Sequence, residues 1–486
     1  MKSLWLSTNR WLTWFHRWAG VVLCLIFAIW FASGAVLHFV GFPALPADLQ
    51  RTRGGVVDLA RVHIQPAAAL ERAPGATRLL LAAIAGRPVY LARLQDGTWL
   101  RIAADSGELL PSISPAIARD VAASFGRAPV GAVSGPIRYD QWIVHQQYDP
   151  FRPFYRVRLD DAARTDLYVS TVTGQVRQRT RLRERAWNYL GAIVHWIYFT
   201  PLRSNWSAWN EVVWWVSLAA LMSAIAGTWL GIVRSVANST AGRRGLSPFR
   251  GWMRWHHIIG LFAGAIVLTW IFSGWLSMDH GRIFSLAQAS SNQTARLKGI
   301  KLAETARAAR PAAMSALAPF SELTFNAIAG HPFLTAFGPA ATPARIVFLD
   351  SSPSGRLTAL QPSLISSALR AVWPGKTVRA ADGDRYDALY RLAESVGDNG
   401  AAFLVGGNAG LRVYVDRETG RFLAVMNPNR RQYAWFYYAL HTFEFPVLIN
   451  HPAVRTALEL ALLAVGFGFS ITGVILGYRR LRRQFH

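Results

Sequence analysis

The sequence lacks most of what would mark a nucleotide-driven or hydrolytic enzyme. It holds one cysteine in 486 residues, so no internal disulfide can form and no thiolate cluster can hold a metal. That residue, Cys24, lies in an apolar run and reads as packing. No G-x-G-x-x-G turn opens a helix after a strand, so no nicotinamide or flavin domain is expected. Walker A, HExxH and catalytic-triad spacings are also missing, which argues against an ATPase or a protease. Acidic residues are scarce, 27 Asp+Glu against 52 Lys+Arg, for a formal charge of +25. Such an excess can mark a nucleic-acid binder. Here, however, 20 Trp and 26 Phe crowd into apolar stretches, and many arginines lie just beyond the ends of those stretches. That is the pattern of a membrane protein held by basic loops, with no nucleic acid among its partners.

Four stretches are long enough to cross roughly 30 Å of hydrocarbon at about 1.5 Å per residue: Trp11–Val40, Ala208–Val233, Trp252–Met278 and Val454–Tyr478. The first resembles a signal peptide in position, but its apolar core is too long for one, and it reads as a retained span. Lys2, Arg10 and Arg17 flank its start, Arg234, Arg243, Arg244, Arg250 and Arg254 fill the link between the second and third spans, and Arg479, Arg480, Arg482 and Arg483 follow the fourth. All three clusters fall in the cytoplasm under the positive-inside rule, with both termini inside and the two long segments outside a bacterial inner membrane. The expected organisation is transmembrane helices at 11–41, 206–234, 252–279 and 453–479, outer domains at 42–185 and 281–430, and short aromatic interfacial helices at 187–200 and 432–445.

The outer segments read as small α+β domains. Alternating strands that reach a Gly-containing turn and resume predict antiparallel hairpins at Trp99–Leu109, Leu167–Val176, Ile346–Leu357 and Leu411–Leu423. Helical patterns at Pro115–Phe125 and Tyr386–Val396 alternate with them.

The two halves repeat. His16, Gly20, Ile26, Trp30, Ser33 and Gly34 match His256, Gly260, Ile266, Trp270, Ser273 and Gly274. His195, Gly227, Gly231 and Arg234 match His441, Gly473, Gly477 and Arg480. Both halves keep the same membrane orientation, which makes this a parallel repeat about an axis along the membrane normal.

Six of the 12 histidines stand near span ends. His16 and His256 form an inner layer; His38 and His280, with His195 and His441 on the short helices, form an outer one. An imidazole in hydrocarbon is costly unless satisfied, so each is a functional candidate, against the alternative that it bonds a neighbouring helix or snorkels to the headgroups. Paired imidazoles from facing helices are haem ligands, whereas zinc or copper sites recruit carboxylates, thiolates or a third imidazole. The symmetry suggests His16 with His256 as one axial pair. In the outer layer both His195 with His441 and His38 with His280 are open, and His257, beside His256 but matching Arg17, is a weaker candidate.

FHRWAG at Phe15–Gly20, SGAVLHF at Ser33–Phe39, RWHHIIG at Arg254–Gly260, LGAIVHW at Leu190–Trp196, ALHTF at Ala439–Phe443 and turns of the VDRETG type resemble the PepSY-associated transmembrane family. Within it the chain is similar to haem-containing inner-membrane ferric-siderophore reductases. The resemblance covers nearly the whole chain. It implies two PepSY-like periplasmic domains and an electron path through two or more b-type haems, with His16, His256, His38, His280, His195 and His441 as candidate axial ligands to the haem iron. It also implies reduction of a periplasmic ferric-siderophore or other iron chelate, with electrons from a quinol or a separate reductase. His280 lies two residues beyond the strict repeat equivalent of His38, which is Met278. Arg138, Tyr139, Arg152, Tyr155, Arg156 and Arg158 form a basic stretch that could hold an acidic or phenolate-bearing chelate, or be a solvated strand face. Two other functions fit the same residues: a membrane cytochrome serving a different periplasmic acceptor, and a haem-free scaffold or transport subunit.

Overall fold

A computed structural model describes residues 2–484 apart from 340–341, 351–354, 382 and 408. The apolar runs form four long helices, α1 (Lys2–Phe39), α2 (Trp206–Thr240), α3 (Gly251–Ser277) and α4 (Pro452–Arg482). Each contains a charge-poor window of mean hydropathy between 1.9 and 2.4, long enough to cross a bilayer. Three of them outrun the apolar stretches, because basic ends such as Arg234 and Arg479 continue the helical hydrogen bonding into the headgroup zone. Asn205 caps α2, its side chain accepting from the Ala208 N–H at 3.1 Å, and Pro452 occupies the first turn of α4.

Lipid tails are as apolar as leucine, so these helices gain little by burying apolar surface against one another. Close packing at small residues holds them instead. Gly466 of α4 admits the Phe31 ring of α1 so closely that a methyl group there would overlap it, and Gly260 of α3 takes Phe469, 2.9 Å from where a Cβ would stand. Phe31, Trp270, Val267 and Leu463 form the centre of the bundle. Cys24 lies beside Gly473 and Gly477 of α4.

On one side of the bundle, between α1 and α2, come seven strands: β1 (Arg78–Ile84), β2 (Arg87–Arg93), β3 (Trp99–Ala103), β4 (Val130–Ile137), β5 (Phe154–Leu159), β6 (Asp166–Ser170) and β7 (Val176–Thr180). Seven more lie between α3 and α4: β8 (Glu322–Ile328), β9 (His331–Phe337), β10 (Arg345–Phe348), β11 (Val378–Ala380), β12 (Gly400–Val405), β13 (Leu411–Asp416) and β14 (Phe422–Met426). In each segment the last four strands make an antiparallel sheet in sequence order. The first three of each segment join the other three in one six-stranded sheet, ordered β10–β9–β8–β1–β2–β3.

The two strand-bearing segments are therefore not closed units, as two separate α+β domains would be. Leu80 faces Thr324 and Ala82 faces Glu322 across the β1–β8 junction. Left apart, each segment would present an unpaired edge of backbone N–H and C=O groups. Alternation along β1 sends Leu79 and Leu81 to one face, with Tyr90, Leu323 and Phe325, and Leu80, Ala82 and Ile84 to the other, with Trp99, Phe154 and Tyr168.

The four predicted hairpins fall where strands pair or bridge: β6 with β7, β13 with β14, Ile102 with Leu109, and Ile346 with Leu357. Of the Ile346–Leu357 turn, residues 351–354 lie outside the described residues. Helices at Pro115–Gly126 and Asp387–Ala393 match the expected patterns. The short aromatic helices begin earlier than the sequence suggests and are divided. One runs Leu182–Leu190, breaks at Gly191 against Val36 of α1, and resumes as Ala192–His195. The other runs Pro428–Tyr433, widens to a π-helical stretch at Ala434–Ala439 and ends as Leu440–Thr442.

Candidate functional site

The bundle turns four histidines into two facing pairs. His16 of α1 and His256 of α3 have ring centroids 6.4 Å apart. His195 and His441, on the two short segments at the sheet side of the bundle, have ring centroids 6.2 Å apart. The sequence had left the second pairing open.

Each of the four rings is held through the same nitrogen. His195 Nδ1 meets Ser33 Oγ at 2.9 Å and His441 Nδ1 meets Ser273 Oγ at 3.1 Å. Both serines give their own proton to a helix carbonyl, Ser33 to Ile29 at 2.6 Å and Ser273 to Trp270 at 3.1 Å. Their oxygens thus accept from Nδ1–H. In the far pair His16 Nδ1 donates to the Ser223 carbonyl at 2.9 Å. His256 Nδ1 donates to Thr472 Oγ1 at 2.9 Å, whose own proton goes to the Phe469 carbonyl at 2.6 Å. Assigned from these bonds, the proton sits on Nδ1 in all four rings, and Nε2 keeps its lone pair. Fixing one nitrogen this way orients a metal-ligating imidazole and raises its basicity.

Glycines make room for the rings. A Cβ at Gly227 would overlap the His16 ring; at Gly274 it would lie 3.1 Å from His441 Cε1, at Gly34 3.7 Å from His195 Cε1, and at Gly473 3.8 Å from His256 Cε1. The short segments are tied to the long helices by two indoles, Trp30 donating to the His195 carbonyl at 3.0 Å and Trp270 to the His441 carbonyl at 2.9 Å. Ser33, Ser273, Thr472, Trp30 and Trp270 were not singled out as site residues from the sequence. The repeat had matched the serines and the tryptophans to each other, and that match was the available signal.

His38 and His280 do not face each other. His38 uses both nitrogens, Nδ1 on Glu459 at 2.9 Å and Nε2 on Thr456 Oγ1 at 2.9 Å. His280 bonds Asn210 through Nδ1 at 2.8 Å and stacks on Trp214 with centroids 4.6 Å apart. His257 bonds the Gly231 carbonyl at 3.0 Å through Nε2.

A cavity of about 560 Å³ adjoins the sheet-side pair, walled by Trp30, Trp209, Trp275, His38, Glu459 and Arg455 among others. Two buried donors on its wall, the Trp275 indole N–H and the Arg455 Nε–H, have no acceptor among the described residues. Two imidazoles with an apolar slot beside them could hold one flat metal complex. Among the described residues no group of three or more His, Cys, Asp or Glu has metal-ligating proximity.

The basic stretch that could hold a chelate is occupied with its own fold. Arg152 is buried, bonds Asp149 at 2.8 Å and the Ile143 carbonyl at 2.6 Å, and lies over the Tyr139 ring. Arg156 pairs with Asp140 and Arg158 with Asp166, both at 3.1 Å, and Tyr155 is in the core.

Comparison with known proteins agrees with this architecture at the level of family. No curated protein matches the chain. The sequence pattern of the PepSY-associated TM region matches residues 13–393, most of its length, and the chain belongs to that family.

Proposed function

We propose that this protein carries electrons across the bacterial inner membrane and delivers them, at the sheet side, to the ferric iron of a siderophore or other chelate. The observation that carries the reading is the pair of imidazole separations. With each metal–nitrogen bond about 2 Å long, two imidazoles on one metal have ring centres about 6 Å apart. The observed 6.2 and 6.4 Å fit that span, and so do the free Nε2 lone pairs.

The residues present fit two b-type haems, His16 with His256 and His195 with His441. A haem with two imidazole ligands supplies one-electron Fe(III)/Fe(II) chemistry. The chain's own part is to hold and tune. Ser33, Ser273, Thr472 and the Ser223 carbonyl keep each imidazole in its ligating tautomer. Glycines leave space beside the rings, and the aromatic wall excludes water and lowers the local dielectric. Arg455 and Trp275 offer donors to an acidic edge. Two ligand layers at different depths divide the hydrocarbon barrier into shorter distances. At the sheet side, one electron converts Fe(III) to Fe(II), which hard oxygen ligands hold less firmly. A quinol or a separate reductase supplies the electrons, a quinol giving two electrons and two protons for every two ferric ions reduced.

The basic ends of the four helices favour a cytoplasmic position for the side opposite the sheets. The recurring order of elements in the two halves supports a pseudo-two-fold axis between the paired imidazoles.

The test is a dithionite-reduced minus air-oxidised spectrum of the detergent-purified protein, with haem counted per chain, followed by anaerobic mixing of the reduced protein with a ferric chelate and a chromogenic Fe(II) trap. A sharp low-spin b-type signal that is reoxidised as Fe(II) appears is the expected result. A flat spectrum from folded protein supplied with haem during expression would overturn the proposal.

A further inference from the structure

Arg152, Arg156 and Arg158, three of the arginines the sequence pointed to, are each paired with a carboxylate, but other arginines are not. Arg78 and Arg93 stand opposite each other on β1 and β2, on the face of the six-stranded sheet that also carries Glu322. The Arg78 guanidinium lies 6.0 Å from the Trp99 ring, Trp99 stacks on Phe151 with centroids 6.0 Å apart, and Arg177 of β7 caps Phe151 at 3.6 Å. Two cations are thus held by aromatic faces, which leave guanidinium N–H groups uncommitted. Neither guanidinium makes a hydrogen bond or ion pair among the described residues. The Trp99 indole N–H, in a residue 6% exposed, also lacks an acceptor among the described residues.

The second half of the chain adds Arg421, from the β13–β14 turn, and Lys298, whose ammonium reaches the Thr77 carbonyl at 3.4 Å. Both lie within electrostatic reach of Arg78. Carboxylates are few. Glu418 answers Arg51 at 3.3 Å and Asp416 is near Arg421, leaving Glu322 to face Arg78 and Arg177. Burial, and then Arg421 and Arg51, pull Arg78 down to about 9, while burial takes Arg177 to about 10. Arg421 stands at an exposed position of the turn.

We infer that this seam between the halves, centred on Arg78, Arg177, Lys298 and the Trp99 N–H, with Arg421 on its exposed turn, binds an oxyanion carrying two or more negative charges, of carboxylate or phosphate type. Planar guanidinium forks match both groups. Because both halves supply donors, such a ligand would bridge the β1–β8 junction.

Isothermal titration of the full chain in detergent with citrate and, separately, with inorganic pyrophosphate tests this. Saturable binding of at least one probe is expected, weaker at raised ionic strength. Binding of citrate alone assigns a carboxylate ligand, of pyrophosphate alone a phosphate ligand, and of both a site that reads charge. Arg78→Gln should weaken binding at least about tenfold, as loss of one charge-assisted contact does, and Arg421→Gln, on an exposed turn, serves if Arg78→Gln fails to fold. Arg156→Gln, whose cation pairs with Asp140 elsewhere, should leave binding unchanged. Absence of binding by both probes, or an equal loss in Arg156→Gln, would overturn the inference. The heat of binding is read whether or not the histidine pairs are loaded, so its failure is separate from any failure of the electron-transfer reading.

Discussion

The sheet-side and far imidazole pairs have almost the same separation but are built differently. In the far pair the histidines belong to α1 and α3 themselves, and their Nδ1 partners differ, a backbone carbonyl for His16 and a threonine hydroxyl for His256. In the sheet-side pair the histidines sit on short, broken segments, yet both halves use a serine hydroxyl and both hang the histidine backbone on a tryptophan. A histidine on a long helix has its backbone placed by the packing of that helix. One on a short segment must be tied back side chain by side chain, and the ties are the same in both halves.

The largest effect should come from the ligands. His16→Ala or His195→Ala is expected to cut haem per chain to about half, one layer being emptied at a time, while His38→Ala and His280→Ala keep the full content; a pyridine haemochrome assay decides. Equal loss on replacing His38 would break the proposed pairing.

Next come the glycines, which expose the asymmetry of the far pair. Gly227→Ala puts a methyl group into the His16 ring and should empty the far layer, whereas Gly473→Ala, 3.8 Å from His256 Cε1, should be tolerated. The same assay applies, and tolerance of both would mean that α2 yields more readily than its packing suggests.

Removing the hydroxyls should be milder. Ser33→Ala and Ser273→Ala are each expected to weaken haem retention by about 10–100-fold, as loss of such a partner does elsewhere. Competition with a haem-scavenging apoprotein measures it. Thr472→Val should act on His256 in the same way. His16, bonded to a carbonyl, offers no equivalent side chain to remove.

The smallest effect belongs to the indole ties. Trp30→Phe and Trp270→Phe each lose one hydrogen bond to a partly buried carbonyl, about 1 kcal/mol, and thermal unfolding in detergent should show similar decreases for the two.

Four spans, the hairpins, the recurrence of His16 in His256 and of His195 in His441, and the shortage of acid could all be read from the residues. They follow from local rules: hydropathy over a window, period-two alternation, and the spacing of like residues in a repeated chain. The junction between β1 and β8 could not, because strand edges carry no mark of which edge they will meet. For the same reason the sequence left the basic run at Arg152–Arg158 open between a binding surface and a solvated strand face, whereas the cations without a carboxylate partner among the described residues include Arg78 and Arg177, far apart in sequence and brought together by two sheets.

By itself the sequence determined that this chain crosses a membrane and carries imidazoles at two depths, since burial in hydrocarbon is a property of each segment alone. Tertiary structure decided which imidazoles face each other. His38 stands one turn from Gly34, as close to the sheet side as His195, but Glu459 and Thr456 of α4 take both its nitrogens. His195 and His441 keep Nε2 uncommitted because serines on α1 and α3 engage only Nδ1. Which lone pair stays free depends on what the neighbouring helix presents, and that is fixed only when the helices pack.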